Sequence, residues 1–545
     1  MNKIIMALIG SLLCVAVRAQ ELTVSEKTDL QRMEAQYDRD KESASLQYGW
    51  FLYREGGNAN CRKADTVLDR VFDKQDNDPR SPTYGQWNWK WEGGEKRADL
   101  NNALFRAEIM FTKLWNVQDR MSDRAKTRFL NSCREIAEAA TRRWDTEVFD
   151  IGRDFVAYSN IFVLYVQTLT LAADRFDDDL MKRKAKSQWT RWYNHVSLHG
   201  IDEFASPTYN RVVFGGLINI RDYCHDERTG RECREMLDHI YLLQSAITHP
   251  LLKLPVCGIS RDYRNFLIQP DARSEIFTAP FEGYTPPERA VKINTGRTYP
   301  FEIIGKAAAV PFIFKSYQFQ NAAMGSMTGG ACFQQQIHCM AAVGSGENDR
   351  AVLFLQGSNT PVNGYTDQKA MSTLCVYNRL PALWHLTQWR GDMSKYRGTF
   401  GEFGVGISPN WHEKSHAPDR IVLEAYGYEA HVFPFALDNE TLIPCDLEKK
   451  HRTSTSPRYH PRPREFEEYV FPVKPDWFGA HIILVKSGTE VPDPQLAVSM
   501  QEGVISFATD EGHRIRLFIA EKGDTRQLHN TDPATIPLLK IAEQP

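Results

Sequence analysis

Residues 195–211 read HVSLHGIDEFASPTYNR, and this stretch decides how the first half of the chain is interpreted. The helical spacing of apolar residues before it ends at Gly200, and Ser206 followed by Pro207 is a typical start of a new helix. We therefore expect a helix, a loop from Asp202 to Asn210, and a second helix. Side chains in such a loop lie at a helix end, where pockets form.

Helix-loop-helix units of this kind extend from Leu30 to about Leu251. Apolar residues recur there at three-four spacing, which indicates amphipathic helices; the clearest runs are Leu104, Ile109, Phe111, Leu114 and Trp115, then Ile161, Val163, Leu164, Val166 and Leu169. Joints rich in Gly, Pro and Asp separate the helices. Repeated helical hairpins suggest an (α/α) toroid, in which loops at one end surround a central pocket.

The second half of the chain has short runs of alternating, β-branched and aromatic residues punctuated by Pro and Gly. These runs are Ala351 to Leu355, Thr399 to Ile407, Arg420 to Tyr426, His481 to Val485, Val504 to Ala508 and His513 to Ile519. They predict an antiparallel β domain that begins near residue 320. The expected fold class is α+β multidomain, with an N-terminal (α/α) toroid over residues 20–315 and a C-terminal antiparallel β-sandwich over residues 316–545.

The N-terminus has the features of a secretory signal peptide over residues 1–19. Lys3 is followed by the apolar run from Ile4 to Val17, and Val17-Arg18-Ala19 is typical of a cleavage site. Cys14 also allows a lipoprotein signal, although Leu13 stands where that signal has a small residue. We expect an exported protein, periplasmic or extracellular, with no transmembrane segment.

Composition limits the partners and the cysteine chemistry. The 545 residues carry a net charge of -3, so no basic field for nucleic acid or an anionic membrane is expected. Of the ten cysteines, most are expected to be buried thiols. A bridge from Cys224 to Cys233, or from Cys332 to Cys339 on either side of His338, remains open in an oxidising compartment.

His195 and His199 lie four residues apart on one helical face, a spacing that can bind a metal. There is no HExxH pattern, however, and no third ligand is evident beyond Asp202 or Glu203. We therefore predict no metal site and no other cofactor. His199 stands apart from His195 because it lies in the last helical turn, towards the loop.

Tyr209 is the candidate base. Arg211 follows two residues later, and Arg261 and Tyr263 stand in the later sequence SRDYRN. A phenol has an ordinary pKa near ~10, but a nearby guanidinium lowers it, so a Tyr-Arg pair can abstract a proton. Packing as an aromatic cap on the next helix is the alternative for Tyr209.

Asn160 begins an apolar helix, where it can cap the helix or donate to a substrate carboxylate.

The segment from Ser81 to Asn102 carries Trp87, Trp89 and Trp91 at alternate positions. The faces of pyranose rings stack on tryptophan while polar neighbours bind the hydroxyls. This loop is therefore expected to hold sugars.

The order and spacing of Asn160, His199, Tyr209 and Arg261 resemble the Asn-His-Tyr-Arg set of the (α/α)-toroid polysaccharide lyases, the chondroitin and hyaluronate lyase kind. Those enzymes also carry a C-terminal β-sandwich region. The chain is similarly close to the toroidal rhamnose-glucuronate lyases, for which a tyrosine base has been proposed. The resemblance implies β-elimination in an acidic, uronate-containing oligo- or polysaccharide, which leaves a 4,5-unsaturated uronate.

The resemblance also implies roles for these residues. Asn160 and His199 would neutralise the uronate carboxylate, Tyr209 would abstract the proton at C5, and Arg261 would orient the substrate and stabilise the phenolate. The remaining expected substrate contacts are Trp87, Trp89, Trp91, Tyr158, Glu203, Arg211 and Tyr263.

Two other functions fit the sequence. A glycoside hydrolase on the same toroid needs two carboxyl groups on either side of the glycosidic bond. Asp202 and Glu203 are adjacent and cannot both fill those places, so Asp154 or Glu92 would be needed as a distant partner. A non-catalytic glycan-binding protein would use the tryptophans and not Tyr209.

The WHEKSH segment, Trp411 to His416, is expected to be an exposed loop. The alternative is that it extends into the cleft of the first domain.

Overall fold

The structure is a computed structural model that describes residues 22–90, 96–98, 100–145, 159–206, 209–260, 283–308, 312–329, 337–357, 363–378, 403–438, 441–454, 464–472, 477–519, 525–528 and 532–542. The chain divides into two compact units. The first comprises residues 1–149, 164–188 and 223–225, and the second comprises residues 150–163, 189–222 and 226–545. Each unit is described by itself.

The described α-helices all precede the large sheets. They are α1 (Val24–Arg39), α2 (Leu46–Glu55), α3 (Asn58–Phe72), α4 (Leu100–Ile109), α5 (Asp123–Asp145), α6 (Ser159–Phe176), α7 (Asp179–His199), α8 (Tyr209–Tyr223), α9 (Glu227–Ile247) and α10 (Glu288–Thr295). A π-helical turn (Met110–Leu114) and a 3₁₀ segment (Trp115–Arg120) continue α4. Short 3₁₀ turns occur at Lys41–Ser43 and Pro533–Thr535.

Two small hairpins lie among the helices, β1 (Asn88–Lys90) with β2 (Lys96–Ala98) and β3 (Thr248–His249) with β4 (Leu254–Pro255). The later strands are β5 (Phe301–Ala307), β6 (Phe312–Gln318), β7 (Ala322–Thr328), β8 (Ile337–Gly346), β9 (Asp349–Gly357), β10 (Asn363–Lys369), β11 (Ser372–Asn378), β12 (Phe403–Ile407), β13 (His412–Ala417), β14 (Arg420–Ala425), β15 (Tyr428–Asp438), β16 (Thr441–Pro444), β17 (Glu448–Ser454), β18 (Arg464–Val470), β19 (Trp477–Lys486), β20 (Leu496–Gln501), β21 (Val504–Thr509), β22 (Arg514–Ile519), β23 (Thr525–Gln527) and β24 (Lys540–Ile541).

The first unit has a helical core. Its buried side chains come mainly from α2, α3, α4 and α5, with Tyr53, Leu68, Phe111 and Phe129 fully buried. Helix α2 begins at the cap Ser45, whose hydroxyl accepts from the Tyr48 N–H at 3.2 Å. Most of the stability of these helices comes from burying one apolar face, since isolated helices of this length are marginal in water.

The second unit contains a sandwich of two antiparallel sheets. The nine-stranded sheet has the order β17-β18-β12-β9-β8-β7-β6-β5-β24, and the seven-stranded sheet has the order β10-β11-β19-β15-β14-β13, with β16 paired to β15. One apolar cluster joins the facing surfaces, since it contains Cys339 and Leu353 of the first sheet with Tyr377 and Phe478 of the second. Face-to-face packing of this kind defines a β-sandwich.

The nine-stranded sheet is buried on both faces around its central strand β8. In β8, Ala341 and Val343 face the sandwich core, while Met340 and Ala342 join a second cluster that includes Leu243 and Ile247 of α9. Every residue from Ile337 to Gly344 is accordingly buried. A strand covered on both faces has a nearly continuous apolar sequence, which explains the run IHCMAAVG.

A third, four-stranded sheet of order β20-β21-β22-β23 lies against the outer face of the seven-stranded sheet. Leu374, Val376 and Phe435 of the larger sheet share an apolar cluster with Phe507 and Leu517 of the smaller one. The alternation of exposed and buried residues in β22 (Arg514–Ile519) fits a sheet with one covered face.

The predicted fold class is confirmed: an N-terminal helical region is followed by an antiparallel β-sandwich. The predicted strand runs coincide with β9, β12, β14, β19, β21 and β22 wherever they are described. The first large sheet begins at Phe301, earlier than residue 320, because the alternating strand FEIIGKA already pairs with β6. The limits of the predicted toroid and sandwich, residues 20–315 and 316–545, stay predictions.

Two further expectations concern the ends and edges of the fold. The WHEKSH segment is not a loop, because His412–Ala417 pairs with β14 as the exposed edge strand of the seven-stranded sheet. Within the described ranges, no helix combines the length and the apolar character that crossing a membrane requires. The predicted signal peptide, residues 1–19, lies outside the described residues.

Candidate functional site

Helix α7 ends at His199, as the sequence predicts. Gly200 has a φ of +81° and its N–H donates to the Val196 carbonyl at 2.8 Å, which closes the helix in the left-handed conformation. A Cβ at this position would lie 3.1 Å from the Ala307 Cα and 3.2 Å from the Lys306 carbonyl. Both the backbone conformation and the close approach of β5 therefore require glycine here.

The loop after Gly200 is buried, although connecting loops usually lie on the surface. All six residues 201–206 are buried, Asp202 and Glu203 among them. Ser206 ends the loop as the cap of α8, since its hydroxyl accepts from the Tyr209 N–H at 3.3 Å. The cap holds the half-buried Tyr209 at the first turn of α8, two residues from the exposed Arg211.

Glu203 reaches back to the first turn of α6. Its Oε2 accepts the backbone N–H of Asn160 at 2.8 Å and a second, short hydrogen bond from Asn160 Nδ2. A carboxylate at a helix N-terminus is stabilised by the unpaired N–H groups and the helix dipole. Asn160 is thus the capped residue and not the capping one, and the carboxylate of Glu203 is bound inside the protein.

The remaining polar atom of the Asn160 side chain is Oδ1, the carbonyl oxygen of the amide. Oδ1 is buried, and no hydrogen-bond donor reaches it within the described chain. Only one of the two Nδ2 hydrogens is needed for Glu203. An unsatisfied buried carbonyl oxygen costs about 1–3 kcal/mol, so its retention calls for an explanation.

His195 and His199 have different surroundings. His195 Nε2 lies 2.9 Å from Asp202 Oδ2, and both side chains are nearly buried. The two imidazole rings are 5.1 Å apart. Burial, with the nearby His195 and Lys306, lowers the pKa of His199 against the opposing effect of Asp202. His199 is therefore a neutral imidazole at pH 7, and His195 is held by a structural contact.

Ile259 and Ser260 precede the predicted arginine segment in sequence, and Ser260 contacts the same loop. The Ser260 N–H and hydroxyl both donate to the Phe204 carbonyl, at 3.1 Å and 2.7 Å. Ile259 pairs with Ile337 at the start of β8 through two hydrogen bonds. Arg261 follows Ser260 directly in sequence. Arg261 itself lies outside the described residues, as do Tyr263, Tyr158 and Trp91.

Trp87 has the environment of a core residue. Its side chain is fully buried, its Nε1 donates to the Val71 carbonyl at 3.0 Å, and the Arg106 guanidinium lies 5.2 Å from the ring centroid. A ring covered in this way offers no free face to a sugar. For Trp89 the structure describes only the backbone, which pairs with Arg97 in the first hairpin.

His338 entered the sequence analysis only as the residue between Cys332 and Cys339, with no role of its own. It follows Ile337 in β8, is fully buried, and has both ring nitrogens without a hydrogen-bond partner within the described ranges. Burial lowers its pKa to about 3. Its ring packs edge-on against Tyr377, with centroids 5.3 Å apart. The sequence signal that could have identified His338 is its position as a polar residue within the apolar run of β8.

Comparisons with known proteins give a partial family match and distant structural neighbours. A family profile described as a domain of unknown function (DUF8769) matches residues 26–264, less than half of the chain. That span contains Asn160, His199, Tyr209 and Arg261. No curated protein matches the sequence.

Two solved structures are similar over most of the chain. A heparan sulfate lyase HepC mutant from Pedobacter heparinus has 10% sequence identity and a TM-score of 0.36, with 94% of this chain and 84% of that chain covered. A heparinase III structure has 10% identity and a TM-score of 0.43, with 89% and 82% covered. Similarity at this level assigns no function, so any function has to be argued from the chain's own residues.

Proposed function

We propose that the chain is a polysaccharide lyase that cleaves a uronate-containing glycan by β-elimination. The observation that carries the proposal is the buried contact between Asn160 and Glu203. This contact connects the start of α6 to the loop that runs from His199 to Tyr209. Ser260, which precedes Arg261 in sequence, is hydrogen-bonded to the same loop. Asn160 thereby lies beside the loop that joins His199 to Tyr209, within the second unit.

The amide of Asn160 fits the first requirement of the reaction, which is to neutralise the C6 carboxylate of the uronate. Oδ1 can only accept hydrogen bonds, so it suits the carboxyl oxygen that carries a proton, and the second Nδ2 hydrogen suits the other oxygen. Because Asn160 is fully buried, substrate binding at this amide requires the surrounding chain to open.

His199 supports the same step. As a neutral imidazole it has one N–H donor and one acceptor nitrogen. Its donor can stabilise the enolate that develops on the carboxyl group when C5 loses its proton. A donor held in place before the reaction would stabilise this charge as it develops.

Tyr209 is the proposed base. Its phenolate removes the C5 proton, the C5–H electron pair forms the C4–C5 double bond, and the C4–O4 bond breaks. The proton on the Tyr209 hydroxyl can then pass to O4, so no water is consumed. Arg261 is proposed to lower the pKa of the phenol, as the sequence predicts.

The two acidic residues of the loop support elimination over hydrolysis. Asp202 is bound to His195 and Glu203 to Asn160, and both carboxyl groups are buried. A hydrolase needs one carboxyl group to donate a proton to the leaving oxygen and another to activate water or attack the sugar. Neither of these two is available for such a role.

The test is an absorbance assay on purified protein with a panel of uronate glycans: hyaluronan, chondroitin sulfate, heparan sulfate and rhamnose-glucuronate side chains of arabinogalactan. We expect the ultraviolet band of a 4,5-unsaturated uronate with at least one glycan, both with and without a chelator. Reducing ends that accumulate without the band would instead identify a hydrolase. Glycan binding by calorimetry with neither product would identify a binding protein.

A further inference from the structure

Two histidines and a glutamate converge where the four-stranded sheet lies against the seven-stranded sheet. His481 lies in β19, whereas Glu511 and His513 belong to the turn between β21 and β22. Both histidine side chains are almost fully buried, and Glu511 reaches the surface. The chain thus brings three metal-ligating side chains from two sheets to one point.

The distances among the three side chains match the edges of a metal coordination shell. Glu511 Oε2 lies 3.4 Å from His481 Nε2 and 3.8 Å from His513 Nε2. All three ligand atoms lie within 4.8 Å of one another. Zinc binds imidazole nitrogen and carboxylate oxygen at about 2.0–2.2 Å, so neighbouring ligands of a tetrahedral site are about 3.3 Å apart. Small side-chain adjustments would complete the site.

Ser372 lies at the centre of this group. Its Oγ lies 2.7 Å from His481 Nε2, 2.9 Å from His513 Nε2 and 3.3 Å from Glu511 Oε2. Both imidazole nitrogens and the carboxylate therefore face one point. The hydroxyl oxygen of Ser372 could serve as the fourth ligand of a cation bound there.

A carboxylate lies behind His513. Asp367 Oδ2 lies 3.6 Å from His513 Nδ1, slightly beyond hydrogen-bond distance, and accepts the Arg514 N–H at 2.9 Å. Ligand histidines usually present their second N–H to such a carboxylate, which leaves the Nε2 lone pair for the metal.

We propose that His481, His513 and Glu511 bind one divalent cation, and that this cation is zinc. Two imidazole nitrogens with one carboxylate oxygen are a ligand set that suits zinc better than calcium or magnesium, which prefer oxygen ligands. The ion would join the turn before β22 to β19. Its role is therefore to fasten the four-stranded sheet to the sandwich, independently of any reaction at Tyr209.

The key variant is Glu511→Gln, because Glu511 is exposed and its replacement should not disturb folding. Glu502→Gln is the matched control, since Glu502 is an exposed residue in another turn of the same sheet. Each protein is prepared without a histidine tag, stripped with a chelator and titrated with zinc sulfate in a calorimeter. We expect about one zinc per wild-type chain and, for Glu511→Gln, a loss of at least about 100-fold in affinity, since even outer partners of a metal site contribute 10–100-fold.

Asp367→Asn is a second variant that tests the partner of His513. We expect zinc binding to weaken by about 10–100-fold in this variant, while Glu502→Gln binds as the wild type does. Cobalt(II) replaces zinc in a further arm, in which a spectrum without a thiolate charge-transfer band excludes cysteine ligands. Stripped wild-type protein that takes up no zinc would overturn the proposal. Equal binding by wild type and Glu511→Gln would also overturn it, because the zinc would then lie elsewhere.

Discussion

The molecule contains two histidine pairs beside a carboxylate, one at the end of α7 and one between two sheets. His195 and His199 are four residues apart in sequence, yet Asp202 already holds Nε2 of His195. His481 and His513 are distant in sequence, yet Nε2 of each faces the same hydroxyl of Ser372. Sequence spacing shows which rings can meet, but only the fold shows which nitrogens point to a shared centre.

The two clusters also differ in what they can do. The cluster at the end of α7 precedes the loop that contacts Asn160 and leads to Tyr209. The cluster between the sheets joins two structural layers. We therefore propose a role in chemistry for the first cluster and a role in stability for the second. The following changes should separate these roles.

Replacing Tyr209 should have the largest effect. Tyr209→Phe removes the proposed base and keeps the ring, so we expect elimination to slow by about 10²–10⁴-fold, the usual contribution of general base catalysis. The measurement is the rate of unsaturated product at saturating glycan. Tyr193→Phe is the control, because the Tyr193 hydroxyl donates to the exposed Glu235 at 2.6 Å and has no part in the proposed mechanism. Full activity in Tyr209→Phe would remove this tyrosine from the mechanism.

Acid should destabilise the sandwich through His338. Its folded pKa of about 3 lies below the ordinary value of 6.5. As the pH falls through this window, the unfolded chain takes up a proton that the folded chain does not, so the free energy of unfolding decreases. The loss is on the order of 5 kcal/mol at most over the whole window, of which about 3 kcal/mol falls between pH 7 and pH 4. Urea unfolding from pH 7 to pH 4 measures it.

His338→Phe keeps the aromatic packing against Tyr377 and removes the titrating group. We expect a shallower acid dependence in this variant, whereas Tyr377→Phe should keep the wild-type dependence. An identical pH profile in His338→Phe and wild type would show that other groups determine the acid response.

Metal removal should distinguish the two clusters. A zinc concentration about 100-fold above Kd stabilises the folded chain by about 2.7 kcal/mol, so chelation should lower the unfolding temperature by the corresponding amount. The initial rate of elimination should not change in the same solution, because the proposed mechanism uses no metal. A rate that falls with chelator and returns with zinc would contradict the separate roles of the two clusters. It would indicate a metal at His195 and His199.

The smallest effect is expected for the helix caps. Ser206→Ala removes the cap of α8, and Ser45→Ala removes the cap of α2. Each should reduce the free energy of unfolding by about 1 kcal/mol. Only Ser206→Ala should also lower kcat, because Ser206 positions Tyr209. Equal kcat in the two variants would show that the cap does not position the tyrosine.

Much of the fold follows from local sequence. Gly200 and Ser206 mark a helix end and a helix start that depend on backbone conformation and capping within a few residues, so both could be predicted. The strand runs could be predicted for the same reason, since alternation is a local pattern. The earlier start of the first sheet at Phe301 could not, because β5 depends on its pairing with β6.

The candidate site was less predictable, because its contacts join distant segments. The carboxylate of Glu203 was expected at the substrate and instead caps α6. Trp87 was expected on a sugar platform and lies in the helical core, since alternation along a short segment does not show which ring faces inward. The zinc cluster combines β19 with a turn from another sheet, and no sequence spacing reports that proximity.

The mass of the products formed in heavy-oxygen water tests the central claim most directly. In β-elimination the new non-reducing end is an unsaturated uronate and no solvent oxygen enters either product. The proposed mechanism therefore predicts products whose masses sum to that of the substrate, with no heavy oxygen incorporated on cleavage. Products that together gain one heavy water would show hydrolysis and would contradict the assignment of Asn160, His199 and Tyr209 to a lyase.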